Sequence, residues 1–157
     1  MRIAFARLNG RNGHAVGREL LTQLCGGNIP EIAHAPQGKP YFVGSDLHFS
    51  ISHTKHHAFC CLSESNVGLD AEEADRRISH ALADKILSTS ERQKYDAAAD
   101  PNAALLRLWV LKEAYAKLTG RGLGDYLYET DFDPDDPRIL IIDGCFVAVL
   151  EEKENAV

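Results

Sequence analysis

The residues of this chain best placed to do chemistry sit in two short acidic signals, Gly68-Leu69-Asp70-Ala71-Glu72 and, further along, Trp109-Val110-Leu111-Lys112-Glu113. In an extended segment residues at i and i+2 share a face, so Asp70 and Glu72 point the same way. Glu113 adds a third carboxylate from a segment patterned as helix, with Lys112 and Lys117 nearby. Hard oxygen ligands of this kind suit Mg²⁺, which commonly shares its coordination between carboxylates and a substrate phosphate. The lysines can act as point charges toward a phosphate. Each signal alone has an ordinary explanation. Alternate acids are common at a solvated strand end, and Glu113 with Lys117 could be an i,i+4 surface pair worth only about 0.2–0.5 kcal/mol. Two features weigh against that. Gly68 permits close backbone approach, and Asp70 directly follows the apolar Val67–Leu69, where a buried acid needs a partner.

Further candidates are single residues. His53 lies in the run Phe49-Ser50-Ile51-Ser52-His53-Thr54, where a strand end offers Ser, His and Thr donors to a phosphate. Lys39 lies on the stiffened Gly38-Lys39-Pro40 loop, and Arg18 near the start of a helix-like stretch. A competing set, His48, His53, His56, His57, Cys60 and Cys61, has zinc-type ligands but no finger spacing. There is no GxxxxGK[ST] loop and no GxSxG elbow, which speaks against P-loop and α/β-hydrolase chemistry.

The elements that must position these residues read as follows. Residues 2–8 form a strand, and about His14 to Cys25 a helix stopped by Gly26-Gly27. A loop runs through Pro30, Pro36 and Gly38-Lys39-Pro40. Leu47–Ser52, His57–Leu62 and Val67–Ala71 are strands separated by turn formers. Ser79–Leu87 is one helix, and Ser88-Thr89-Ser90-Glu91 caps another. Asp100-Pro101 opens a long helix that ends at Gly120, with Leu108, Leu111, Tyr115 and Leu118 as its apolar stripe. Trp109, Glu113 and Lys117, four apart, share a neighbouring face. Ile139–Ile142 and Cys145–Leu150 flank Asp143-Gly144, a strong hairpin signal. The tail from Glu151 reads as charged and frayed. The class is α+β, with antiparallel sheet and one long helix.

With 157 residues, 45% hydrophobic and 25% charged, the chain has the composition of one globular domain. Its net charge of −6 makes broad nucleic-acid binding unfavourable, so an anionic ligand must meet a local basic patch. No stretch reads as a signal peptide or a membrane span. Cys25, Cys60, Cys61 and Cys145 show no disulfide or CxxC spacing, which points to reduced thiols and a cytoplasmic setting.

Gly38-Lys39-Pro40, the Phe49–Thr54 run, Gly68–Glu72 and Trp109-Val110-Leu111-Lys112-Glu113-Ala114-Tyr115-Ala116-Lys117 occur in that order. The set resembles the phosphopantetheinyl transferases of the surfactin-synthetase-activating type, whose patterns are GKP, F-x-x-SH-[ST], G-[IVL]-D-x-E and W-x-x-KE-[AS]-x-x-K. The resemblance implies two similar α+β halves related by a pseudo-twofold, about 1–66 and 67–150 of one domain. It implies transfer of 4'-phosphopantetheine from coenzyme A to a serine of an apo acyl or peptidyl carrier protein, releasing adenosine 3',5'-bisphosphate.

Carried over by residue, Asp70, Glu72 and Glu113 would hold Mg²⁺, Glu113 would accept the serine proton directly or through a metal-bound water, and Lys117 would hold the pyrophosphate. Ser52, His53, Lys39, Arg18 and Lys112 would bind coenzyme A. Gly120–Tyr128 would meet the carrier, and the chain would act as a monomer. The family's basic residues upstream of Arg18 are not evident here, with Arg7 and Arg11 as candidates. A Mg²⁺-dependent phosphodiesterase or pyrophosphatase fits the carboxylates too but leaves the S-H-[ST] and K-E-A-x-x-K context unexplained, and a non-catalytic carrier-binding module is a third reading.

Overall fold

The computed structural model describes residues 1–122, 124 and 130–152. The elements are β1 (Arg2–Arg7), α1 (Gly13–Leu24), β2 (Ile32–His34), β3 (Pro40–Phe42), β4 (His48–His53), β5 (His57–Ser63), β6 (Val67–Glu73), a 3₁₀ turn (His80–Leu82), α2 (Ala83–Ile86), α3 (Thr89–Ala97), α4 (Pro101–Thr119), β7 (Ile139–Ile142) and β8 (Cys145–Glu151). The fold is mixed α and β, and all strand pairing is antiparallel. One sheet has the order β1-β5-β4 and another β6-β8-β7, with β2-β3 as a separate hairpin.

Period-two patterning explains the layering. On β5, Ala58, Cys60 and Leu62 face α1 and join Val16, Leu20 and Leu21 in one core. Phe59 and Cys61, on the opposite face, meet Val67, Leu69, Ala71, Val147 and Val149 between the two larger sheets. The far face of the second sheet packs Ala148 and Leu150 against Leu105, Leu108 and Leu111 of α4. Cys60 and Cys61 therefore belong to different cores, as two small apolar fillers. Burial pushes both thiols up, Cys61 to about 12.

Local chemistry sets the boundaries. Asp100 accepts from Ala103 N at 3.0 Å and Pro101 occupies the first turn of α4. Gly120 ends that helix with φ +71°, where a left-handed residue closes the last turn. Ser88 and Glu91 form a reciprocal capping box on α3. Asp143 and Gly144 both have positive φ, as a two-residue hairpin turn between twisted strands requires.

Two expectations needed correction. The segment read as loop around Pro36 and Gly38 contains the β2–β3 hairpin, turned at Gly38 (φ +93°), and its three-residue strands are too short to show alternation. The helix expected over 79–87 is a 3₁₀ turn followed by a single α-turn, ended by Leu87 in extended conformation. Much of the 120–128 stretch, and the tail from residue 153, lies outside the described residues. Among the described residues no helix is long and apolar enough to cross a membrane.

Candidate active site

The site is built on an unusually close approach of α4 to β6. A Cβ on Gly68 would overlap the carbonyl oxygen of Ala114 and the amide of Leu118, so only glycine lets the helix sit this near the strand. Gly68, Asp70 and Glu72 share the β6 face that looks toward α4. The α4 residues Trp109, Glu113 and Lys117 recur every fourth position and meet them. β4, the start of α1 and the β2–β3 hairpin supply the opposite walls. The result is a cleft of about 720 Å³, in the range of small-molecule sites.

All three sequence-predicted carboxylates line this cleft. Asp70 is 7% exposed, and its Oδ1 accepts from Lys117 Nζ at 2.8 Å and from Ser52 Oγ at 2.9 Å. Lys117 also reaches the Ile51 carbonyl at 3.3 Å. Glu72 is paired with Arg76 and hydrogen-bonded by Trp109. Burial raises its carboxyl above the ordinary range, Arg76 opposes that, and Asp70 adds to it. Glu113 is pushed up to about 7, first by burial and then by the negative charge of Asp70, with Lys117 opposing and Glu72 adding. Two of these acids, Glu72 and Glu113, are raised by burial and by the negative charge of Asp70, which marks a half-buried cluster short of positive charge.

That shortage is the test of fit for a divalent cation. The donors are hard carboxylate oxygens, they come from one strand face and one helix face, and their mutual repulsion is what a cation relieves. Among the described residues, no three side chains are turned as they stand into a metal-holding cluster. Lys117 and Arg76 occupy positions on Asp70 and Glu72 instead.

The other end of the cleft is basic. His53 Nε2 and His14 Nε2 are 3.4 Å apart, with the rings edge to face, and Arg18 lies one turn beyond His14 on α1. Gly13 seats His53, since a Cβ there would stand 2.6 Å from the ring Cγ. Sequence reasoning found His53 and Arg18 but missed His14 and Arg76. The signal for His14 was its i,i+4 spacing to Arg18. Arg76 stands four residues after Glu72 but beyond the strand, where no regular period applies.

Of the expected ligands, Lys112 lies outside the cleft, while Lys39 and Ser52 line it with their polar atoms bonded within the chain. Lys112 is fully buried, 2.8 Å from the equally buried Glu91 Oε2 and 3.2 Å from Thr130 Oγ1. One residue of helix turns a side chain by about 100°. With Glu113 facing the cleft, Lys112 therefore faces α3. Lys39 lines the cleft with its stem, while Nζ donates to Asn66, to Val67 O at 3.3 Å and to Leu118 O at 2.7 Å, tying down the end of α4. Ser52 is at the cleft, but its hydroxyl is committed to Asp70 and the Ala71 amide. Arg7 and Arg11 bond Asp143 and Glu19, away from the cleft.

The profile of the 4'-phosphopantetheinyl transferase superfamily matches residues 66–145, the stretch that carries β6, α4 and the three carboxylates. The chain is 33% identical over 88 residues to 4'-phosphopantetheinyl transferase gsp of Aneurinibacillus migulanus, covering 55% of this chain and 36% of that protein. It is 35% identical over 81 residues to 4'-phosphopantetheinyl transferase psf-1 of Bacillus pumilus, covering 49% and 34%. It is also 36% identical over 133 residues to the uncharacterized protein YieE of Escherichia coli K12, covering 80% and 51%. The chain thus spans about a third to a half of the length of these relatives. A profile match over half the chain, centred on the strand and helix that build the cleft, shows that the chain belongs to the 4'-phosphopantetheinyl transferase superfamily.

Proposed function

We propose that this chain transfers 4'-phosphopantetheine from coenzyme A to a serine hydroxyl of an acyl or peptidyl carrier protein, releasing adenosine 3',5'-bisphosphate. The reading is supported above all by Glu113, Asp70 and Glu72 lining one cleft with Lys117, in a member of this superfamily. In the reaction the serine oxygen forms a bond to the phosphorus that carries the pantetheine arm. The bond from that phosphorus to the bridging pyrophosphate oxygen breaks, and the electron pair leaves with the nucleotide.

Glu113 is the group suited to take the serine proton, because it is a carboxylate lining the cleft beside Asp70 and Lys117. Lys117 neutralises charge on the leaving nucleotide. Asp70, Glu72 and Glu113 would hold Mg²⁺. The chemistry that ion supplies when bound is neutralisation of the pyrophosphate oxygens. His53, His14 and Arg18 would receive the anionic nucleotide end. We read the two sheet-and-helix units, about 1–66 and 67–150, as the halves of one transferase domain related by a pseudo-twofold.

The test is release of adenosine 3',5'-bisphosphate from coenzyme A with Mg²⁺, with and without an apo carrier protein. Release that requires the carrier supports transfer. Release without it indicates a phosphodiesterase, and tight carrier binding with no affinity for coenzyme A indicates a non-catalytic module.

A further inference from the structure

The strands β4 and β6 lie side by side yet belong to different hydrogen-bonded sheets. Side-chain hydroxyls take the place of backbone pairing between them. Ser50 Oγ accepts from Leu69 N at 3.0 Å, Ser52 Oγ accepts from Ala71 N at 3.3 Å, and Thr54 Oγ1 donates to Glu73 Oε1 at 2.9 Å. Each partner is 19 residues further on, so the two strands run parallel with hydroxyls at every second position. All three hydroxyl residues are buried, at 6%, 6% and 8% exposure. Without them two outward-facing amides of β6 would lose these partners at the join, a costly state for buried backbone.

One rung differs from its neighbours. Ser52 accepts from the Ala71 amide and, with its proton, donates to Asp70 Oδ1 at 2.9 Å. Its hydroxyl is therefore held from behind by β6 backbone and aimed at the carboxylate one residue earlier. The same Oδ1 takes Lys117 Nζ at 2.8 Å, while Oδ2 makes no hydrogen bond among the described residues. Ser50 also lines the cleft, but its hydroxyl meets only the backbone of Leu69 and no carboxylate, and Thr54 touches Glu73, which does not line the cleft.

We propose that Ser52 is a positioning residue rather than a ligand of coenzyme A: its hydroxyl, anchored on the Ala71 amide, fixes the rotamer of Asp70, one of the carboxylates that would hold the cation. The inference rests on the metal assignment proposed above and adds to it the element that aims one of the ligands. Partners that orient a metal-bound carboxylate typically set metal affinity by about 10–100-fold.

The test is Mn²⁺ binding to the intact chain without coenzyme A, followed by electron paramagnetic resonance, in Ser52→Ala and Ser50→Ala. Ser52→Ala should weaken Mn²⁺ binding about tenfold, and its transfer activity should recover at saturating Mg²⁺. Ser50→Ala, which removes a rung of equal burial, should lower thermal stability while leaving Mn²⁺ affinity unchanged. Wild-type Mn²⁺ affinity in Ser52→Ala would overturn the proposal alone, and so would equal weakening in Ser50→Ala, which would mark the whole ladder as merely structural. Failure of the wild-type chain to bind Mn²⁺ would overturn the metal assignment and the proposal together. Should Ser52→Ala not fold, Ser52→Cys keeps the volume while weakening the bond, and carries the same expectations.

Discussion

Lys117 and Asp70 are joined by a 2.8 Å ion pair that crosses from α4 to β6 at the floor of the cleft. The pair sets the state of the site before any ligand arrives, because it holds the helix face and the strand face in one register and lends Asp70 a cation. Asp70 side-chain exposure is 10% and that of Lys117 is 32%, so solvent screens the pair only in part. Removal of Asp70 takes away a proposed metal ligand and strands the lysine. Asp70→Ala should cut transfer to a carrier by at least about 100-fold, the scale on which a preorganised electrostatic group acts. Circular dichroism should show the fold retained. Full activity in this variant would remove Asp70 from the mechanism.

Gly68 controls the distance between the two carboxylate-bearing elements. Gly68→Ala drives a methyl into the Ala114 carbonyl and the Leu118 amide, backbone atoms that cannot rotate away. Overpacking of this kind costs about 1–3 kcal/mol. For a domain of this size that lowers Tm by roughly 2–4 °C per kcal/mol. Transfer should fall more than stability, because α4 shifts Glu113 away from β6. Calorimetry alongside the transfer assay checks both.

Lys112 should behave as part of the framework. Lys112→Met leaves Glu91 buried without its cation, which costs about 3–5 kcal/mol. Replacing both partners, as Lys112→Met with Glu91→Leu, should recover part of that loss. The KM for coenzyme A should be unchanged in whatever fraction stays folded. Chemical denaturation measures the first expectation and steady-state kinetics the second. A raised KM with normal stability would return Lys112 to the binding site.

Glu113 provides the pH dependence. Its carboxyl stands at about 7 in the folded chain against an ordinary value of 4.5, so the folded state binds the proton more tightly than the unfolded one. For this group the folded state is favoured at low pH, and that contribution is lost as pH rises from the ordinary value through about 7. Without metal, wild-type stability should therefore fall across that window relative to Glu113→Gln. The apparent affinity for Mg²⁺ should rise over the same window, with proton release on binding. Calorimetric titration in two buffers of different ionisation enthalpy reads the proton directly. Binding without proton release below pH 7 would contradict the burial and repulsion assigned to Glu113.

Much of the cleft was legible in the sequence because it follows from local periods. Alternation places Asp70 and Glu72 on one face with Gly68, and the four-residue spacing places Trp109, Glu113 and Lys117 on another. Caps at Ser88, Asp100 and Gly120 fixed the helix ends for the same reason. What periodicity does not carry is where a long side chain ends. Lys112 and Lys39 have the right type and sequence neighbourhood, yet their ammonium groups serve Glu91 and the carbonyl of Leu118. The β4–β6 hydroxyl ladder was invisible because it depends on the meeting of two sheets, which no local pattern encodes. His14 had a local signal in its four-residue spacing to Arg18, but its meeting with His53 depends on α1 packing against β4.

The most direct measurement is intact-mass spectrometry of a panel of apo carrier proteins after incubation with coenzyme A, Mg²⁺ and this chain. A phosphopantetheine mass gain on at least one carrier, lost with Asp70→Ala and with Glu113→Gln, is the predicted result. No gain on any carrier while coenzyme A is consumed, or an undiminished gain with both variants, would contradict the account.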